Sequence, residues 1–413
     1  MKMFSRAYYL QQLVDGQGNG LVKVITGIRR CGKSVLLSNL FHQHLVASGV
    51  DEEQIIDLAL DDRDNAELRN PDTFLSYVKA HIVKGKDNYI LVDEVQMMDD
   101  FVSVLLSLLH KPDCDIYVTG SNSRFLSTDI VTEFRGRSQE IHVQPLSFAE
   151  FMENYEGSIR DAWHEYFEFG GLPQVALFKT RKQKIDYLSN LVTTVYMRDL
   201  IERNHIQNDD GMTELMRVLA SSIGSPSNPS RIANTFASEA HKGISDDTIA
   251  KYIKYLEESF LVYEALRYDV KGRKYIGTET KYYFSDIGLR NSILEFRQME
   301  ENHTMENVIY NELKMRGFNV DVGRVEVREN QIRKYLEVDF VANQGSQRYY
   351  VQSAYRLTDK EKVSQEKKSL RNIPDSFKKI IIEENDIVPY RDDDGFVRMG
   401  LFDFLLNSSS LEF

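Results

Sequence analysis

Short apolar runs rich in β-branched residues alternate with stretches of helical periodicity over roughly the first 145 residues of the chain. Runs of this length predict strands, whereas apolar residues at spacings of three and four predict helices. The predicted strands are 21–26, 54–60, 89–92, 116–119 and 140–143. Because strands that alternate with helices usually form a parallel sheet with helices on both faces, the pattern predicts an α/β fold for residues 1–150.

Helical periodicity dominates after residue 150, especially at 185–203 and 212–223, and the turn-rich segment 224–230 marks a boundary. Beyond it, Ile249, Ile253 and Leu256 recur at helical spacing and are followed by a strand and a basic turn, the order typical of a winged helix. A helix and further strands then predict a small C-terminal α/β domain, with 408–413 as a loose tail. The predicted regions are 1–150, 151–223, 224–300 and 301–413.

A glycine-rich loop follows the first predicted strand and precedes a helix. Residues 27–34 fit the pattern G-x-x-x-x-G-K-[ST], whose backbone N–H groups cradle phosphate oxygens at a helix N-terminus. Lys33 would reach the β and γ phosphates of ATP, and the Ser34 hydroxyl would bind Mg²⁺. The predicted nucleotide-binding residues of this loop are Gly27, Ile28, Arg29, Arg30, Cys31, Gly32, Lys33, Ser34 and Val35.

Two carboxylates end the third predicted strand. Asp93 and Glu94 lie about 60 residues after Lys33, a distance that predicts a parallel strand adjacent to the first. Asp93 would hold Mg²⁺, usually through a water, and Glu94 would polarise the water that attacks ATP. An Asp-Glu pair at a strand end is by itself an ordinary solvated turn. Together with the phosphate loop, it predicts a catalytic site.

Polar residues after the next strand and before the last one extend the candidate site. Ser121 and Asn122 could sense the γ-phosphate, and a turn with helix-capping serines is the structural alternative. Arg135 and Arg137 flank a glycine, so either could act as an arginine finger, within the chain or from a neighbouring copy in a homo-oligomer. A solvated basic turn is the alternative for both arginines.

Composition excludes several classes of protein. The chain has 413 residues, of which 42% are hydrophobic and 28% charged, so a folded globular protein of two or three domains is expected. The net charge of −12 excludes general adhesion to polyanions. No apolar run approaches the ~20 residues that span a bilayer, and the N-terminal sequence does not resemble a secretory signal. We therefore expect no membrane contact and a cytoplasmic protein.

The motifs together resemble a known family, the prokaryotic AAA-type (AAA+) ATP-binding proteins with a C-terminal domain of unknown function. The resemblance rests on segments 26–34, 91–96, 119–123, 135–138 and 145–151, and further family landmarks lie at 170–173, 282–289 and 337–340. It implies an AAA+ P-loop core with a small helical region, a winged-helix segment and a C-terminal domain similar to restriction-endonuclease-like folds. It also implies ATP and Mg²⁺ as ligands.

The C-terminal region departs from a working nuclease of that fold, which carries an acid on one strand and Glu-x-Lys on the next to hold Mg²⁺. Asp339 and either Glu306 or Glu312 could supply acids. However, Gln352 and Ala354 stand where the second acid and the lysine are needed. Since a neutral amide is a poor ligand for Mg²⁺, we expect this domain to be catalytically inactive.

The resulting hypothesis is an Mg²⁺-dependent ATPase in which hydrolysis drives conformational change between domains. An alternative is an ATP-switched DNA-binding protein. In that case the exposed helix face and the turn of the winged-helix segment would contact phosphates, and a solvated helix face is the structural alternative. The basic residues of that surface are Lys251, Lys254, Lys271, Arg273 and Lys274. A further alternative is an ATP-dependent nuclease, against which Gln352 and Ala354 argue.

Overall fold

A computed structural model describes residues 2–111, 113–120, 134, 136–239, 244–330, 332–355 and 360–413. The chain forms two compact units. Unit 1 comprises Met1–Leu146 with Glu258–Phe260, and unit 2 comprises Ser147–Glu257 with Leu261–Phe413.

Unit 1 is built on a five-stranded sheet in which every strand pair is parallel. Its strands are β1 (Val22–Thr26), β2 (Ile55–Ala59), β3 (Asn88–Asp93), β4 (Cys114–Thr119) and β5 (Ser138–His142). All five residues of β1 are buried, as expected for a central strand covered on both faces. The parallel α/β sheet predicted from the alternating pattern is confirmed, and each strand lies within two residues of its predicted limits.

In unit 1 one helix precedes β1, and helices follow β1, β2 and β3, as parallel connections require. They are α1 (Ala7–Asp15), α2 (Lys33–Val35), α3 (His42–Ala47), α4 (Pro71–His81) and α5 (Phe101–Leu109). A π-helical stretch, Leu36–Phe41, joins α2 to α3 so that the helix after the glycine-rich loop runs without a break. Apolar side chains of α4 and α5, including Phe74 and Leu105, pack with Ile90, Val92 and the other strand residues in one buried core.

The order of the strands differs from the prediction at one place. The sheet order is β2-β3-β4-β1-β5, so β4 lies between β1 and β3 and pairs with both. The prediction that Asp93 ends a strand adjacent to the first was therefore wrong. Spacing along the chain indicates that a connection is long enough for a parallel crossover, but it does not indicate how many strands the crossover passes.

Unit 2 begins with a series of helices whose starts carry clear capping signals. Ser147 and Glu150 form a capping box at 3.0 and 3.1 Å, and the Ser158 hydroxyl accepts from the Asp161 N–H at 3.1 Å. These helices are α6 (Phe148–Met152), α7 (Ile159–Phe169), α8 (Pro173–Leu177), α9 (Arg181–Asn190), α10 (Arg198–Asn204), α11 (Asp209–Ser221), α12 (Pro229–Glu239) and α13 (Asp246–Glu258). A π-helical stretch, Leu191–Met197, joins α9 to α10.

The remainder of unit 2 combines an eight-stranded mixed sheet with four helices. The helices are α14 (Ile287–Ile293), α15 (Glu301–Met315), α16 (Lys360–Arg371) and α17 (Leu401–Leu406). The strands are β6 (Val262–Asp269), β7 (Lys274–Phe284), β8 (Asn319–Glu329), β9 (Ile332–Gln344), β10 (Gln347–Ala354), β11 (Lys378–Glu383), β12 (Tyr390–Arg391) and β13 (Val397–Gly400). The sheet order is β12-β13-β11-β10-β9-β8-β6-β7.

The hairpin predicted as a wing is part of this sheet. Strand β6 pairs antiparallel with β7 and parallel with β8, where Asp269 aligns with Arg324. The sheet therefore crosses residue 300, the predicted limit between the winged-helix segment and the C-terminal domain. The division into four regions remains a prediction.

Two family landmarks meet inside unit 2. The buried Asp286 carboxylate accepts the Gly171 N–H at 2.7 Å and the Leu289 N–H at 3.0 Å, which caps α14. Gly170 has φ +74°, and a Cβ there would lie 2.3 Å from the Asp286 Oδ1 atom. The buried Asp286 carboxylate thus holds segments 170–173 and 282–289 together. Its contacts explain why glycine stands at position 170 and aspartate at position 286.

The C-terminal segment differs from the predicted loose tail. Leu411 is 4% exposed, and Ser410–Glu412 form a 3₁₀ turn. The Arg316 guanidinium donates to the Ser410 Oγ atom at 2.9 Å. Residues 410–412 are therefore packed against the unit, because Leu411 is buried and Arg316 binds Ser410. The run of serines in the sequence does not indicate these contacts. In the described part of the chain, no helix is long and apolar enough to cross a membrane.

Candidate functional site

The glycine-rich loop lies at the carboxyl end of β1 and has a conformation that its glycines permit. Gly27 has φ +137°, and a Cβ there would lie 2.2 Å from the Val143 carbonyl oxygen, so only glycine fits. Gly32 has φ +102° and directly precedes α2, and Arg30 has φ +67°, which is uncommon for a residue with a side chain. The loop thus turns sharply before presenting the N-terminus of a helix.

The first residue of that helix is Lys33, and its side chain folds back over the loop. Its Nζ atom donates to the Gly27 carbonyl at 3.0 Å and to the Ile28 carbonyl at 3.1 Å. The side chain is 5% exposed and its ammonium is paired with backbone carbonyls. Of the other predicted loop residues, Ile28 and Cys31 are buried, Arg29 is half-buried, and Arg30, Ser34 and Val35 are exposed.

Asp93 ends β3 and faces the helix that follows the loop. Its carboxylate is 6% exposed and accepts hydrogen bonds from the hydroxyls of Thr119 and Ser34. Burial raises the pKa of the Asp93 carboxyl, the two hydroxyls oppose this, and the charges of Glu94 and Asp61 raise it further. Asp93 and Ser34, the two predicted Mg²⁺ ligands, are therefore brought together by the fold.

Glu94 lies where the chain leaves β3. Its backbone is left-handed, with φ +53°, and its N–H donates to the Thr119 Oγ1 atom at 3.0 Å. The Gln96 amide donates to the Glu94 carboxylate. Glu94 is thus directed by a strained turn and by a neighbouring side chain, two features that restrict where its carboxylate can lie.

The donor set fits the chemistry of a phosphate-bound Mg²⁺. A hydroxyl and a carboxylate are oxygen ligands of the kind that Mg²⁺ prefers, and a lysine ammonium and helix N–H groups complement phosphate oxygens. Around Asp93 the structure places hydroxyls and further carboxylates, so a cation would relieve its buried charge. Loop, helix start, Asp93 and Glu94 thus form one candidate nucleotide site in unit 1.

Arg137, one of the two arginines predicted as a finger, lies near the opposite edge of the sheet. Arg137 immediately precedes β5, and its carbonyl accepts the Val22 N–H at the start of β1. Gly27 follows the opposite end of β1, about 16 Å away along a five-residue strand. The structure therefore places the Arg137 backbone at the far end of β1 from the loop. Its action as a finger, within its own chain or from a neighbouring copy, remains a prediction. Arg135, Ser121 and Asn122 lie outside the described residues.

The sequence analysis missed three residues around the carboxylates. Thr119 contacts both Asp93 and Glu94, Gln96 contacts Glu94, and Asp61 acts on Asp93 through its charge. Thr119 ends β4, the strand that lies between β1 and β3. The sequence could have indicated Thr119, because it is a hydroxyl residue at the end of a predicted strand and the carboxyl ends of parallel strands meet at one edge of the sheet.

Of the acids considered for a nuclease site, Glu306 lies near Asp339 in unit 2, whereas Glu312 has a different partner. Glu306 lies close enough to Asp339 for its charge to raise the pKa of the Asp339 carboxyl, which burial already raises. Glu312 instead pairs with Arg316 at 2.8 Å. Gln352 and Ala354 lie on β10, next to the strand that carries Asp339. Of the two acids left open by the sequence, the structure therefore associates Glu306 with Asp339.

The predicted basic surface is exposed as the helical pattern indicated. Ile249, Ile253 and Leu256 are buried, and Lys251 and Lys254 lie on the exposed face of α13. The basic residues of the turn between β6 and β7 are exposed as well: Lys271, Arg273 and Lys274.

Comparison with known proteins identifies two domains in the chain. Residues 19–152 match the family model of an AAA domain, and residues 160–300 match a domain of unknown function, DUF8612. The AAA match contains the whole candidate nucleotide site. The crystal structure of Cdc6p from Pyrobaculum aerophilum is similar over 70% of this chain and 93% of that chain, with 12% identity and a TM-score of 0.31.

Two relatives match over most of their length. The protein MJ1544 of Methanocaldococcus jannaschii, described as uncharacterized, is 26% identical over 357 residues, 83% of this chain and 76% of the relative. An uncharacterized protein of Haemophilus influenzae is 32% identical over 386 residues, 92% of this chain and 93% of the relative. Because that identity extends over nearly all of both chains, this chain belongs to the same family as the Haemophilus influenzae protein, and its AAA domain makes it an AAA+ P-loop ATPase-like protein.

Proposed function

We propose that the chain is an Mg²⁺-dependent ATPase whose hydrolysis drives movement between its domains. The observation that carries the proposal is the convergence of Ser34 on Asp93, next to Glu94, at the carboxyl edge of one parallel sheet. Binding alone requires the loop and Lys33. Hydrolysis requires in addition a group that accepts a proton from the attacking water, and the Glu94 carboxylate, directly after Asp93, can do this.

Each residue has a separate task in this proposal. Backbone N–H groups of the loop and the helix start bind the phosphates, and the Lys33 ammonium exchanges its two carbonyl partners for phosphate oxygens. Ser34 and Asp93 would hold Mg²⁺, which when bound neutralises charge that develops on the phosphates. The Glu94 carboxylate orients water and takes its proton, and Thr119 holds both Asp93 and the Glu94 backbone in place.

The test compares ATP binding and hydrolysis by the wild type and Glu94→Gln, with Mg²⁺. We expect Glu94→Gln to bind ATP like the wild type and to hydrolyse it on the order of 10²–10⁴-fold more slowly, the usual contribution of a general base. Normal hydrolysis by Glu94→Gln would contradict the assignment of Glu94. Tight binding without hydrolysis in both proteins would contradict the ATPase and point to a nucleotide-gated scaffold.

DNA binding is the second candidate function, and the exposure of five basic residues on α13 and the β6–β7 turn favours it. Such a surface would contact phosphates and not bases, so its affinity for duplex DNA would fall as salt rises. The measurement is DNA affinity at several salt concentrations for the wild type and for Lys251→Ala/Lys254→Ala/Arg273→Ala. An unchanged affinity and salt slope in the triple variant would exclude this surface.

A further inference from the structure

A buried ionic cluster lies in unit 2, and neither the nucleotide site nor the basic surface uses it. We define the ionic cluster as Lys281, Tyr283, Glu306, Glu337 and Asp339. Lys281 and Tyr283 come from β7, Glu306 from α15, and Glu337 and Asp339 from β9. Three elements that are distant in the chain therefore bring charged groups to one place.

The lysine lies between two carboxylates. The Lys281 Nζ atom is 2.8 Å from Glu306 Oε1 and 2.8 Å from Glu337 Oε1. The Tyr283 hydroxyl donates to the same Glu306 oxygen at 2.6 Å. Lys281 is 3% exposed, Glu306 6% and Asp339 8%, so water contributes little to their solvation. Charges buried to this degree are tolerated only when they compensate one another.

The electrostatics of the cluster keep Lys281 and Glu306 ionised. Burial alone would lower the pKa of the Lys281 ammonium, but the charges of Glu306, Asp339 and Glu337 outweigh it and raise the pKa. Burial would raise the pKa of Glu306, yet Lys281, His303 and Tyr283 lower it to about 2. The Lys281 ammonium therefore compensates the buried Glu306 carboxylate, and Glu337 pairs in addition with Arg267 at 3.1 Å.

The same position would carry a divalent metal in a working endonuclease-like sheet, and the residues present do not fit one. Asp339 Oδ2 already accepts the Ser353 N–H at 2.7 Å. Gln352 provides a neutral amide whose Nε2 donates to Glu366 at 3.0 Å, and among the described residues its buried Oε1 atom has no hydrogen-bond partner. With Lys281 bound to the Glu306 and Glu337 carboxylates, a second cation would meet repulsion, and these two carboxylates are not free to bind it.

We propose that Lys281 is a permanent internal cation of this region, in place of a catalytic metal, and that the ionic cluster joins β7 to α15 and β9. The proposal assigns a structural role to a set of acids that resembles a nuclease site. The ion pairs of the cluster also cross residue 300, since the cation comes from one side of that limit and the carboxylates from α15 and β9 on the other. It does not rest on the proposed ATPase.

The experiment replaces the internal cation and supplies an external one. Full-length wild type, Lys281→Ala and Lys281→Ala/Asp339→Asn, free of nucleotide, are compared by thermal unfolding and by calorimetric titration with MnCl₂. We expect Lys281→Ala to unfold at a lower temperature, to recover part of the loss in MnCl₂ and to bind one more Mn²⁺ than the wild type. The double variant should bind no additional Mn²⁺. Any Mn²⁺ at the nucleotide site is common to all three proteins.

Lys182→Ala is the matched control, because Lys182 is an exposed lysine of the same unit that pairs with one carboxylate, Asp186. It should change neither Tm nor Mn²⁺ binding. The proposal would be overturned if Lys281→Ala kept the wild-type Tm, or if it lost stability and Mn²⁺ neither bound nor restored it.

A second measurement applies if Lys281→Ala does not fold. Lysine labelled with ¹⁵N should give several slowly exchanging ammonium signals in the wild type, because other lysines such as Lys23 and Lys184 are also buried and paired. Lys281→Arg, which keeps a cation, should lack one of these signals. The proposal would also be overturned if Lys281→Arg kept every protected ammonium signal of the wild type, because a lysine bound between a buried and a half-buried carboxylate should exchange its protons slowly.

Discussion

Lys33 and Lys281 are both buried lysines, but their environments are opposite. Among the described residues, the partners of the Lys33 ammonium in unit 1 are two backbone carbonyls, and the Asp93 carboxylate of the same unit is surrounded by hydroxyls and other acids. The Lys281 ammonium in unit 2 contacts two carboxylates directly. In the described structure Lys33 and Asp93 do not form an ion pair with each other, whereas Lys281 forms ion pairs with Glu306 and Glu337.

These environments distinguish the nucleotide site, which can accept a charged ligand, from the ionic cluster, whose charges are already paired within the protein. A phosphate can replace two carbonyl oxygens around Lys33 and gain a full charge interaction, and a cation can relieve Asp93. At Lys281 a ligand would have to break charge pairs in a region shielded from water, which is strongly unfavourable. Similar residue types thus give a functional site in one unit and a structural one in the other. The contrast predicts opposite effects of mutation.

The largest effect is expected for Glu306→Gln, which leaves Lys281 without its main partner. Removal of one member of a buried ion pair costs about 3–5 kcal/mol, whereas ATP hydrolysis should not change. Charge interactions lower the pKa of Glu306 to about 2 in the folded state. The ionised Glu306 therefore contributes fully to the free energy of unfolding at pH values above the ordinary pKa of glutamate, and this contribution is lost as the pH falls towards 2. The difference in unfolding free energy between wild type and variant should therefore shrink as pH falls from about 4.5 to 2. A constant difference would contradict the pairing.

Lys33→Ala should have the converse effect. We expect ATP hydrolysis to fall on the order of 10²–10³-fold, as when a charge-stabilising donor is removed, with nucleotide binding weakened and the free energy of unfolding nearly unchanged. Turnover, binding and chemical denaturation measure the three quantities. Lys86→Ala, which removes an exposed lysine, is the control. A large loss of stability in Lys33→Ala would remove the contrast between the two lysines.

Thr119→Val tests how the acids of the nucleotide site are positioned. Valine keeps the shape of threonine but leaves Asp93 and the Glu94 N–H each without one buried hydrogen bond. We expect a loss of about 1–3 kcal/mol in stability and a decrease in turnover of roughly 10- to 100-fold. Thr26→Val is the matched control, since Thr26 is equally buried but bonds to Glu140 and His142. Equal turnover in both variants would exclude a positioning role for Thr119.

The smallest effect is expected for Asp61→Asn. Asp61 is exposed and acts on Asp93 through its charge alone, so its removal should change the interaction by less than about 1 kcal/mol. The Mg²⁺ concentration that gives half-maximal turnover should rise by at most about fivefold, with the maximal rate unchanged. A change in maximal rate would instead place Asp61 among the catalytic groups.

The sequence determined the local structure of unit 1 to a large extent. Alternating apolar runs located all five strands, because a strand covered on both faces needs continuous apolar residues. The glycine-rich loop was readable because only glycine permits the backbone at position 27, and a helix must follow to bind phosphate. The pairing of Asp93 with Ser34 also followed from the motif, although the order of the strands did not.

Tertiary structure decided everything that depends on contacts between distant segments. The insertion of β4 placed Thr119 against Asp93 and Glu94, and strand direction placed Arg137 at the opposite edge from the loop. Lys281 is one of many lysines in the sequence, and only its position between Glu306 and Glu337 gives it a role. Backbone geometry and burial periodicity are local properties that a short segment encodes. The partner of a buried charge is set by the packing of the whole unit, and that is why the sequence located the nucleotide loop but not the ionic cluster.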